Sequence, residues 1–101
     1  MQKTNRQTVI YSLKIVGFQN IRSVGVKGNN NPLSWDNETV LKEIVKDSLY
    51  QTTIIHFTGF KFTEVKFIVN GEMELLNLEN RRVNFEPEAI TKYEATFNIA
   101  K

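Results

Sequence analysis

An all-β fold of two packed sheets is what this sequence predicts, on three observations. Several separate stretches alternate apolar and polar residues with a period of two, clusters of turn formers stand between them, and no convincing helical stretch interrupts them. The 101 residues suit one domain, 1–101, around one hydrophobic core. The expected architecture is an immunoglobulin-like antiparallel β-sandwich of about seven short strands. A five-stranded OB-type barrel is the structural alternative.

The elements follow in chain order. Residues 1–7 read as a flexible N-terminal tail. Val9, Tyr11, Leu13 and Ile15 then alternate with Ile10, Ser12 and Lys14, the pattern of a half-buried strand. Val24 and Val26 predict a short strand ending at Gly28, and Asn29-Asn30-Asn31-Pro32 opens a loop that carries Trp35. The segment Val40 to Val45 is too short for a stable helix and reads as an irregular connection. Tyr50 to Phe57 is rich in Thr, Ile and aromatic residues, and adjacent Ile54 and Ile55 predict a strand covered on both faces. In Phe62 to Val69, Val65, Phe67 and Val69 share the core face and Lys66 points away from it. Asn70-Gly71 predicts a type I′ turn into a strand from Glu72 to Leu76. In the last strand, Lys92 to Ile99, Tyr93, Ala95, Phe97 and Ile99 face inward.

Composition excludes several classes of function. Net charge is only +2, and lysines and arginines alternate with acids, so no block of charge is present to capture nucleic acid. Interleaved Lys61, Phe62, Lys66 and Phe67 suggest a single-strand binder, but the modest charge argues against that reading. No apolar run is long enough to span a bilayer as a helix, and Met1 to Thr8 lacks the apolar stretch of a secretory signal. With no cysteine and a single histidine, neither a thiolate metal site nor a histidine cluster can form, and no metal or cofactor is expected.

Catalytic candidates are equally sparse. His56 lies within an apolar strand and reads as a hydrogen-bonded structural residue, with no nucleophile or orienting group beside it in sequence. Glu72, Glu74 and Glu79 have the chemistry of a glycosidase pair, but such a pair needs a cleft this small domain has little room for. Glu72 and Glu74 are therefore expected on a solvated strand face. The expectation is a binding protein with no catalytic residues. Trp35, following a polar, proline-containing turn, either covers the end of the core or meets a ligand. An exposed indole suits the C–H face of a pyranose ring, with Lys66 and Asn80 available to bond its hydroxyls.

Three blocks together carry a resemblance. Val24-Gly25-Val26-Lys27-Gly28 with Pro32-Leu33-Ser34-Trp35-Asp36, then Glu64-Val65-Lys66-Phe67-Ile68-Val69, then Glu74-Leu75 with Asn80-Arg81, resemble the starch-binding domains. These are carbohydrate-binding modules related to the glycogen-binding domains of kinase regulatory subunits, and the likeness covers residues 8–87. It implies a glucan site at Trp35, Lys66 and Asn80. Where the family places a second stacking tryptophan this chain has Leu75, a smaller surface that implies weakened or redirected sugar binding. Arg81 and Arg82 have the look of a glycan or phosphate clamp, but the family's Asn-Arg pair implies that they brace adjoining strands, and neither is counted among the site residues. The resemblance also implies an α-glucan or related polysaccharide as ligand, a tethered or associated enzyme as partner, and an extracellular or periplasmic setting. The alternative is a structural or protein-interaction sandwich whose sugar site is degenerate.

Overall fold

The computed structural model describes residues 5–87 and 89–100. Within them the chain is all β, with nine strands: β1 Asn5–Lys14, β2 Val24–Gly28, β3 Thr39–Val40, β4 Lys42–Val45, β5 Leu49–Thr58, β6 Phe62–Val69, β7 Glu72–Met73, β8 Arg81–Asn84 and β9 Thr91–Thr96. One sheet, called A, runs β4-β5-β1-β9; the other, B, runs β3-β2-β6-β7, with β8 pairing the first half of β6. The two sheets pack face to face over one core as a sandwich, and among the described residues no closed barrel forms.

Several expectations are corrected. Residues 5–7, placed in a tail, begin β1, while residues 1–4 lie outside the described part of the chain. The connection from Val40 to Val45 holds the end of β3 and all of β4, both too short to show a period. β5 has only one covered face. Ile54, His56 and Thr58 point into the sandwich, while Ile55 and Phe57 stand on the open face of sheet A. β9 stops at Thr96, because Asn98 turns the chain with φ of 64°, so Ile99 faces solvent. Not every pair is antiparallel: β9 lies parallel to β1, with Tyr11 opposite Tyr93.

The core follows from the alternation. Val9, Tyr11 and Leu13 of sheet A meet Val26, Val65, Phe67, Val69 and Val83 of sheet B, all fully buried. Tyr11 is its hub, with edge-on contacts to Phe67, Tyr93 and the His56 ring. The Asn70-Gly71 turn forms as expected, both residues having positive φ (52° and 82°). Asn70 also ties in the β1–β2 connection. Its Oδ1 accepts the amides of Arg22 and Ser23, and its Nδ2 donates to Asn20 O.

At the end of the hairpin the sequence reading of Glu74 is overturned. The residue is 1% exposed, and its carboxylate bonds Arg81, whose Nε lies 2.6 Å from Oε2 and whose Nη2 lies 2.8 Å from Oε1. The carboxylate also accepts the amides of Phe67 and Asn98, and the guanidinium donates to Thr96 O and Ile99 O. Arg81 thus braces β6, β8 and the C-terminal turn.

Two stability predictions follow. Arg81→Met strands a buried carboxylate and should lower the unfolding free energy by about 3–5 kcal/mol, whereas Glu74→Leu added to it should recover part of that loss. Gly28→Ala would put a Cβ 2.9 Å from the main-chain oxygen of Glu64, but Gly25→Ala would meet only the flexible Glu38 side chain. Urea unfolding should therefore show a cost of about 1–3 kcal/mol for the first and a smaller one for the second.

Candidate functional site

The loop between β2 and β3 is held from both sheets before it reaches Trp35. Asn29 exchanges bonds with β6: its Oδ1 accepts Thr63 Oγ1 and the Glu64 amide, while its own amide donates to Glu64 O. Asn30 Nδ2 donates to Phe62 O, and Leu33 buries its side chain beside Gly28. Ser34 Oγ then accepts the Asp36 amide, the short-range bond of a tight turn. With Leu33 turned in and the turn closed behind it, Trp35 stays 37% exposed.

From sheet A, His56 holds the same loop. The fully buried ring places Nδ1 3.2 and 3.0 Å from the carbonyl oxygens of Asn30 and Asn31, so Nδ1 carries the proton and donates. Nε2 accepts the Tyr11 hydroxyl at 2.7 Å. Both nitrogens are engaged with the ring neutral, in the structural role read from the sequence. Burial disfavours the imidazolium and moves the pKa below its ordinary value, although the two carbonyls pull the other way.

Glu64 joins the Trp35 loop to the second loop of interest. Besides its main-chain bonds to Asn29, its Oε1 accepts Asn80 Nδ2 at 3.1 Å, on the outer face of sheet B. Asn80 is exposed. Opposite Glu64 in the ladder is Arg82, whose guanidinium lies 3.8 Å from the centroid of the Phe62 ring and bonds Asn84 Oδ1. The bonds between Asn29 and Glu64 thereby join the loop that carries Trp35 to a polar strip of Glu64, Asn80, Arg82 and Asn84 on the outer face of sheet B. The sequence reading missed Glu64 and the Arg82–Phe62 stack, although the Asn80-Arg81-Arg82 run marked where that strip begins.

Lys66 and Leu75 meet each other but do not join this surface. Lys66 does point away from the core, yet it is only 7% exposed, because the turn after β7 folds over it. Its ammonium donates to Leu75 O at 2.8 Å and Leu78 O at 3.0 Å, satisfying two carbonyls of that turn. Leu75 is 5% exposed, with φ of 51°, and its amide is bonded by Asn98 Oδ1. The apolar side chains this turn shows to solvent are Leu76 and Leu78. Among the described residues, no three His, Cys, Asp or Glu side chains converge as a metal site would require.

The His56 geometry sets a pH dependence. Its folded pKa lies below its unfolded value of about 6.5, so the unfolded chain takes up the proton first as pH falls. Its contribution is complete above that value and is lost on acidification, by at most about 1.4 kcal/mol per pH unit. Urea unfolding of the wild type should weaken between pH 7 and pH 5, while His56→Gln, less stable at pH 7, should lack that step.

No protein-family model matches this chain, and no curated protein matches it.

Proposed function

We propose that this is a non-catalytic carbohydrate-binding module on an immunoglobulin-like β-sandwich, which takes an α-glucan or related polysaccharide along the outer face of sheet B. The observation that supports the reading is the half-exposed Trp35, on a loop hydrogen-bonded to both sheets and linked through Glu64 to the exposed Asn80. The indole covers the apolar face of one sugar ring, while Asn80, Glu64 and Arg82 offer donors and acceptors to hydroxyls at its rim. Lys66 acts mainly by holding the neighbouring turn, and two of its three N–H donors are already engaged there. With one aromatic anchor, dissociation constants on the order of tens of micromolar to millimolar are expected. Such a module serves an associated glycan-active enzyme by raising the local concentration of substrate.

A second reading, a protein-interaction sandwich with a degenerate sugar site, draws support from the burial of Lys66 and Leu75. It also draws on a groove of ≈ 480 Å³ lined by Phe18, Met73, Leu75, Leu76, Leu78 and Phe97 together with Glu72 and Asn98.

The single indole makes the test direct. Titration with maltoheptaose should produce a saturable change in tryptophan fluorescence that cellohexaose does not reproduce. Asn80→Ala should weaken binding by roughly 3–10-fold, the worth of one hydrogen bond, and calorimetry on Trp35→Ala should show no binding. A folded wild type that does not respond to millimolar sugar would overturn the glycan reading in favour of the second.

A further inference from the structure

The edges of the two sheets are not equally protected. β3 and β7 have two residues each, β8 has four, and β4 carries a register shift between Glu43 and Val45. Short length and bulges are the ordinary means of blunting an edge. β9 has neither: it runs six residues in unbroken register with β1, and among the described residues no strand pairs with its other edge.

Peptide direction along β9 is settled by two bonds at its end. The Phe97 amide donates to Lys14 O, so the odd-numbered residues turn their peptide groups toward β1 and the even-numbered ones turn theirs away. Thr96 O accordingly meets the Arg81 guanidinium instead of β1. With Thr96 O occupied, Lys92 and Glu94 present N–H and C=O groups outward, and their side chains stand exposed on the open face of sheet A. A recess of ≈ 530 Å³ borders the strand, lined in part by Tyr93, Glu94, Ala95 and Ile99. Exposed Ile90 and Ile99 flank it.

The geometry points to a second copy of this chain as the occupant of this edge, added antiparallel about a two-fold axis at Tyr93. That register sets Lys92 opposite Glu94 of the other copy and Glu94 opposite its Lys92, giving two complementary cross-strand charge pairs. These positions are also the outward-facing ones, so each pair exchanges both main-chain hydrogen bonds. Moving the axis by one residue in either direction places Glu94 against Glu94 or Lys92 against Lys92. Sheet A of one copy then continues into sheet A of the other, and the proposed glycan surface on sheet B stays open.

Sedimentation velocity from about 1 µM to about 1 mM should show the mass rising from 11.7 kDa toward twice that value. Lys92→Glu and Glu94→Lys each set like charges face to face, and each should weaken association about tenfold. The double exchange, Lys92→Glu with Glu94→Lys, restores both pairs and should restore the dimer. Circular dichroism of each variant verifies that it is folded. A monomer throughout the range, a dimer that ignores the single exchanges, or a double exchange that fails to rescue would each overturn the proposal.

Discussion

The paired charges of Glu74 and Arg81 hold one end of this sandwich together. Taking a carboxylate and a guanidinium out of water costs several kcal/mol per ion, and the arrangement persists only if nearly every polar atom finds a partner. Here the carboxylate accepts two bonds from Arg81 and one each from the amides of Phe67 and Asn98, while Arg81 also reaches Thr96 O and Ile99 O. Four segments are thereby tied at one point: the middle of β6, the turn after β7, the start of β8 and, more distant in sequence, the C-terminal turn. The same turn is held from below by the Lys66 ammonium, so the chain leading to Asn80 is bonded at several of its carbonyls and amides.

A second buried network acts at the Trp35 loop. Tyr11, the aromatic hub of the core, passes order through His56 to the carbonyls of Asn30 and Asn31. Asn29 and Asn30 then bond the first half of β6. The two networks approach each other at Glu64, which touches Asn29 through its main chain and Asn80 through its side chain. Surface loops held in this way lose little conformational freedom on binding a ligand, a saving that adds to affinity.

How well the sequence could be read depended on the range of the interaction concerned. The hairpin at Asn70-Gly71 was legible because a type I′ turn is decided by the two residues that make it. The inward set of β1 and the core face of β6 were legible because side-chain direction along a strand alternates. Lys66 shows the limit of that rule. Alternation assigned it correctly to the outer face, but whether that face meets water depends on a turn that begins nine residues later and folds back over it. Glu74 was misread for the same reason, its partner being a cation on a different strand. Trp35 and Asn80 were singled out by residue type and setting, and the structure adds Glu64 as the residue connecting their loops.

By itself, then, the sequence determined an all-β chain, most of its strands and turns, and the core-facing residues of β1 and β6, since these follow from local conformational preference and a period of two. Tertiary structure alone decided the parallel β1–β9 pair, the covered outer face at Lys66, the burial of Glu74 with Arg81 and the open edge of β9. Each of these depends on which distant segments pack together, and pairing between distant strands is a property of the whole energy balance that leaves no periodic mark on the chain.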